Sequence, residues 1–231
     1  LGGEMMQYSK KDFLNFILAH DVVGFFDEPI RLSCGRYSSW YVNWRTVAED
    51  VFLLDQLTDY VLAYTKEQDI IPDTYFGVSE GATKLGLVTQ YKHALQTEDY
   101  MEGTHRLAMG RGKQKEHGAA KDRYFLGTPK DKTLVLEDVI TTGDSLLKSI
   151  TQLEQAGVRV MGALALTDRL EKGIYDSDNP ESLATKDVLF HALIDAYTLL
   201  PAVFDAKRPP QYVRDNLNAE IEQYGRIVFR V

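Results

Sequence analysis

Residues 133–150 read TLVLEDVITTGDSLLKSI, and the order of residue types along this stretch decides the reading of the chain. A short β-branched and leucine-rich run, 133–137, has the composition of a buried strand and ends in two adjacent acids, Glu137 and Asp138. Thr141-Thr142-Gly143-Asp144-Ser145 follows, and 145–156 then shows helical spacing of apolar residues. A helix start leaves backbone N–H groups unpaired and carries partial positive charge, so it accepts a phosphate readily. Gly143 lets the backbone approach an oxygen closely, and the Thr and Ser hydroxyls add donors. Carboxylates are poor partners for phosphate. They suit a sugar diol or the water shell of a divalent cation. One ligand satisfies both halves: a ribose 5-phosphate with its diol on Glu137 and Asp138 and its phosphate in the turn 141–145. Either acid alone reads more simply as a strand end, with Asp144 or Thr142 capping the next helix.

Outward from this stretch the periodicity alternates. The spacing predicts strands at 74–79, 106–110, 133–137 and 158–167, and helices at 82–95 and 145–156, with Gly157 as a helix stop. Strands alternating with helices indicate an α/β fold with a mostly parallel central sheet flanked by helices. Upstream, 9–20 and 47–64 read as amphipathic helices, and RYSSWYVNW at 36–44 reads as a strand or hairpin edge. Beyond 190, LFHALIDAYTLL and PPQYVRDNLNAEIEQYG add helices that need not join the central sheet, although 187–200 also suits a strand followed by a helix. Residues 111–130 lack apolar periodicity, and loops of that length are often lids or binding loops.

Composition narrows the classes. The 231 residues are 44% apolar and 26% charged, enough for one large domain with a substantial core. No apolar stretch reaches bilayer-spanning length, and the first residues lack a signal-peptide core. Cys34 is the only cysteine, which excludes an internal disulfide framework and fits a cytoplasmic location. The five histidines show no metal-ligand spacing. A net charge of −8 disfavours nucleic acid as a partner. Against that trend, 105–123 holds six Lys/Arg and two acids.

The ordered combination of strand, acid pair and TTGDS turn resembles the PRPP-binding motif of the type I phosphoribosyltransferases. Three further segments resemble orotate phosphoribosyltransferases and occur in that family's order: LSCGRYSSWYVNWR (32–45), RGKQKEHG (111–118) and ALALTDRLEKG (163–173). The resemblance spans roughly 31–173. It implies a type I phosphoribosyltransferase fold over the whole chain, with a core at about 45–195 and a hood formed by the terminal segments.

It also implies transfer of the phosphoribosyl group of PRPP to orotate, giving orotidine 5′-monophosphate and pyrophosphate. In that reading Glu137, Asp138, Thr141, Thr142, Gly143, Asp144, Ser145 and Lys113 bind PRPP. Thr141, Arg169, Tyr41 and Val42 border the orotate, with Arg169 on its carboxylate. Arg111, Lys115 and His117 form a mobile catalytic loop that completes the active site of the neighbouring subunit in a homodimer. Mg²⁺ is the implied cofactor, held through PRPP and water near Glu137 and Asp138 rather than by direct protein ligands. FGVSEGATKLG (76–86) occupies the place of the family's pyrophosphate loop, where Glu80 is an unfavourable charge unless it points away or meets the cation.

The sequence departs from the family where lysines are often found. Ser33-Cys34 precede Gly35-Arg36, Gly112 follows Arg111, and Gly81-Ala82 stand in the pyrophosphate loop. Lost cations weaken PRPP binding unless Lys84, Lys113 or Arg36 compensates. Two other functions remain open at this level: the same reaction on another base, and a non-catalytic PRPP or nucleotide-binding regulator.

Overall fold

The computed structural model describes residues 6–113, 115–130, 132–173 and 188–231. Its centre is a four-stranded sheet of β3 (Thr74–Gly77), β6 (Lys132–Ile140), β7 (Arg159–Asp168) and β8 (Leu189–Asp195), in that spatial order and parallel throughout. Side chains alternate across a strand, so a run that is apolar at every position must be covered on both faces. Leu134, Leu136, Leu164 and Leu166 pack into one cluster with α1 (Lys10–Ala19), α3 (Val51–Glu67) and α7 (Ala196–Lys207). Val135, Ala163 and Ala165 pack into another with α6 (Asp144–Gln155). Helices on both faces of a parallel sheet are the α/β architecture expected from the alternation.

A second layer covers one end of this core. β1 (Val23–Arg31) and β2 (Tyr37–Val42) form an antiparallel hairpin outside the central sheet, and α8 (Gln211–Tyr224) packs against it. These terminal elements constitute the hood. Trp44 ties it to the core, because its indole N–H donates to Thr167 Oγ1 at 3.0 Å on β7.

The structure corrects several element boundaries. The apolar stripe from 47 to 64 is split between α2 (Arg45–Glu49) and α3, because Asp50 is extended and its side chain caps Leu53 N at 2.9 Å. Residues 106–110 add no strand to the central sheet. Only β4 (Met109–Gly110) is extended, and it pairs antiparallel with β5 (Phe125–Leu126). Leu107 is exposed, so the apolar alternation is too short to demand a place in the core. The reverse holds for Leu189–Asp195, which is β8 rather than helix, with Leu193 and Ile194 fully buried. The aperiodic 111–130 segment holds α5 (Ala120–Tyr124) and β5.

Candidate active site

β6 outruns its neighbour. Pairing between β3 and β6 ends at Gly77–Leu136, while β6 and β7 continue together to Ile140 and Asp168. Beyond Gly77 the chain turns away through Ser79-Glu80-Gly81 into α4 (Thr83–Leu95), and the Ser79–Glu80 peptide is cis. A crevice therefore opens between this turn and the unpaired edge of Glu137–Ile140, at the carboxyl ends of the strands, where open α/β sheets bind ligands.

The resulting cleft has a volume of about 500 Å³. Its floor is Glu137 to Ser145. One wall is Ser79-Glu80-Gly81, and the other is the hood hairpin from Ile30 to Cys34 and Tyr41 to Arg45, with Arg169 beside it. The structure thus brings together Glu137, Asp138, Thr141, Thr142, Gly143, Asp144, Ser145, Tyr41, Val42 and Arg169 from three separate stretches of sequence.

Local chemistry explains the floor. Gly143 sits at φ 84°, a left-handed conformation that a side chain disfavours, and it directs the chain into α6. Thr142 Oγ1 donates to Asp144 Oδ2 at 2.8 Å. Glu137 is buried and Asp138 half-buried. Burial, and then the adjacent Asp138 carboxylate, push the Glu137 carboxyl well above its ordinary range. A Cβ on Gly81 would lie 2.3 Å from Asp138 Oδ2, so the turn after β3 packs directly on the second acid. Glu80 faces the base of the 111–118 loop, with its Oε1 3.5 Å from where a Cβ on Gly112 would lie.

The hood-side wall is held by ions. Arg169 is buried, and its Nε donates to Glu171 at 2.7 Å, its Nη2 to Ser38 Oγ at 2.8 Å and its Nη1 to the Trp40 carbonyl at 3.4 Å. Its guanidinium also lies 4.0 Å from the Trp40 ring centre. The other Glu171 oxygen takes Arg36 Nη1 at 2.8 Å, and Arg36 covers the Tyr224 ring. Glu220 on α8 accepts from Ser38 Oγ at 2.9 Å and from Ser39 N–H. Burial raises its pKa, opposed by those bonds and by Arg169. Arg36 is therefore committed to the hood and lines no part of the cleft.

The residues that the resemblance assigns to a catalytic loop lie elsewhere. Lys113, Lys115 and His117 are exposed, Arg111 is half-buried, and none of the four lines the cleft of its own chain. Arg111 Nε is taken up by the carbonyls of Asp122 and Phe125 at 3.1 and 3.0 Å, and Lys115 N donates to the Arg123 carbonyl. With glycines and charges but no apolar anchor, this segment folds on its own β4–β5 hairpin. Two cleft cations carry no role in the sequence reading: Arg31 and Arg45. Arg45 closes the aromatic segment 32–45, and its adjacency to that segment is the signal that points to it.

Comparison with known proteins accords with this geometry. No family model matches the chain. It is 30% identical over 148 residues to the orotate phosphoribosyltransferase of Rhodopirellula baltica, covering 62% of this chain and 73% of that protein. The chain belongs to the orotate phosphoribosyltransferase family. The Pyrococcus furiosus orotate phosphoribosyltransferase is 27% identical over 188 residues, covering 81% of this chain and 96% of that one. The fold matches the crystal structure of the Francisella tularensis orotate phosphoribosyltransferase with a TM-score of 0.63 at 23% identity, over 93% of this chain and 99% of that one. Membership of this family makes the chain a pentosyltransferase.

Proposed function

We propose that the cleft transfers the phosphoribosyl group of PRPP to orotate in pyrimidine nucleotide synthesis. The observation that carries this is the extension of β6 beyond β3, which puts Glu137 and Asp138 on one edge and the Thr141–Ser145 turn at the end of one crevice. The ribose diol meets the acids, and the 5-phosphate meets the N–H groups of the turn. The pyrimidine lies against Tyr41 and Val42, with Thr141 on its ring and Arg169 nearest its carboxylate.

N1 of orotate bonds to C1 of the ribose as the C1–O bond breaks; the electron pair leaves on pyrophosphate, and the N1 proton passes to the departing pyrophosphate or to water. Preorganised cations around that leaving group lower the barrier. Arg111, Lys113 and Lys115 supply them from the loop of a second subunit in a homodimer, and His117 donates a hydrogen bond or proton there; their position outside their own cleft supports this reading. Asp138, packed against Gly81, suits the water shell of Mg²⁺ better than Glu137, whose raised pKa weakens it as an anionic partner. When bound, Mg²⁺ offsets charge on the departing pyrophosphate. Among the described residues no helix is long and apolar enough to cross a membrane, and we assign the enzyme to the cytoplasm.

The test follows orotate absorbance in the presence of PRPP and Mg²⁺, with uracil and purine bases as competitors. Orotate is consumed and the neutral bases are not. A folded, PRPP-binding protein that leaves orotate unchanged refutes the assignment.

A further inference from the structure

The cleft is acidic, yet both proposed substrates are anions. Its lining carries Glu80, Glu137, Asp138 and Asp144 against three cations, Arg31, Arg45 and Arg169. Arg169 already has its donors engaged, because Glu171, which it shares with Arg36, pairs with it at 2.7 Å and its other bonds go to Ser38 and Trp40. The cations that sequence reading offered as substitutes for missing lysines do not serve. Arg36 is paired with Glu171, Lys84 does not line the cleft, and Lys113 lies outside the cleft of its own chain, where the reading above has it act from the second subunit. Arg31 and Arg45 differ from all of these. Both line the cleft, both are exposed, and neither guanidinium makes an ion pair or a side-chain hydrogen bond among the described residues.

Their backbones, by contrast, are firmly held. Arg31 pairs with Tyr37 at the end of the hood hairpin, next to a turn closed by Leu32 N to the Arg36 carbonyl at 2.8 Å. Arg45 follows Trp44, whose indole is bonded to Thr167, and its own N–H donates to Asn43 Oδ1 at 3.2 Å. A pinned Cα with an uncommitted guanidinium places a fork of donors over the cleft without consuming it in the fold. Guanidinium forks bind carboxylate and phosphate oxygens in bidentate fashion.

We propose that Arg31 and Arg45 are substrate-binding residues that hold oxyanion groups in this cleft from the hood side, supplying positive charge to a site where this sequence lacks lysines. The inference rests on the functional reading above. The shared chemistry is a pair of anionic oxygens, which belong either to the pyrophosphate of PRPP or to the carboxylate of orotate.

The experiment measures binding of PRPP, ribose 5-phosphate and orotate by calorimetry, and KM for PRPP and orotate, in the wild type and in Arg31→Ala, Arg45→Ala and the matching Lys variants. At least one alanine variant raises Kd and KM for one substrate tenfold or more, with an unchanged melting temperature. A loss for PRPP but not for ribose 5-phosphate assigns that arginine to the pyrophosphate, and a loss confined to orotate assigns it to the carboxylate. The Lys variant recovers part of the loss by restoring charge without the fork. If both alanine variants bind and turn over both substrates as the wild type does, the proposal is overturned. A wild type that binds PRPP but does not consume orotate counts against the reaction assigned above, and the PRPP arm still decides the role of the two arginines.

Discussion

The two sides of the cleft are built in opposite ways. The side proposed for the phosphoribosyl group is one contiguous stretch, Glu137 to Ser145, in which strand, acids, turn and helix follow each other along the chain. The side proposed for the base is assembled from the β1–β2 hairpin, the end of β7 and α8, joined by contacts Arg36–Glu171–Arg169–Ser38–Glu220 that are buried at Arg169 and half-buried at both ends. A local turn depends mainly on its own backbone geometry. A wall stitched from distant segments depends on ion pairs that must all be satisfied at once, since a buried charge stripped of its partner costs far more than the pair contributes. Affinity for PRPP and affinity for the base should therefore respond to different mutations.

The loop that belongs to neither side should produce the largest effect. Lys115→Ala is expected to lower kcat by about 100-fold or more. Its melting temperature should stay that of the wild type, because the side chain is exposed. Equal turnover in single-turnover assays would remove the loop from the chemistry.

Glu171→Ala strikes the base side by leaving two arginines without their shared carboxylate. We expect a stability loss of about 3–5 kcal/mol by denaturant titration, and a greater rise in KM for orotate than for PRPP. A uniform rise in both would show that the two sides are not separable.

Gly173→Ala tests the seam between them. A Cβ there would lie 2.2 Å from the Thr142 carbonyl oxygen, so the end of the DRLEKG segment packs on the phosphate turn. A stability loss of about 1–3 kcal/mol is expected from the forced shift, with KM rising for both substrates. A change in the orotate KM alone would place the seam elsewhere.

The smallest effect is one of pH. The Glu137 pKa is raised in the folded protein, chiefly by burial, above its ordinary 4.5. The stability linked to its protonation is fully present below the unfolded value and is lost as pH rises through the folded value. Glu137→Gln removes that loss. Its melting temperature should match the wild type near pH 4 and exceed it at pH 8, while activity falls through the altered diol contact. A constant difference across the range would mean that Glu137 does not titrate in this way.

The pattern of success along the sequence follows the same division. TLVLEDVITTGDSLLKSI was legible because its information is local: an apolar run long enough for a buried strand, a glycine where the backbone must turn left-handed, and helical spacing after it. Leu189–Asp195 was ambiguous, because its run suits a helix as well as a strand, and only the open edge of β7 decides between them. Residues 106–110 erred the other way, since a short apolar segment joins a sheet only if an edge is available, and its hydrogen bonds went to Phe125–Leu126 instead.

The amino-acid sequence by itself determined the α/β class, the acid pair, the Thr141–Ser145 turn into a helix and the family motifs, because each depends on neighbours a few residues apart. Tertiary structure alone decided which charges are free to meet a ligand. Arg36, Arg169, Arg31 and Arg45 are alike as letters. The first two are drawn into ion pairs with Glu171, more than a hundred residues from Arg36 and two from Arg169, while the last two keep their guanidiniums over the cleft. The Arg169–Glu171 pair lies within reach of sequence spacing, but the Arg36–Glu171 pair spans 135 positions and no spacing along the chain reports it.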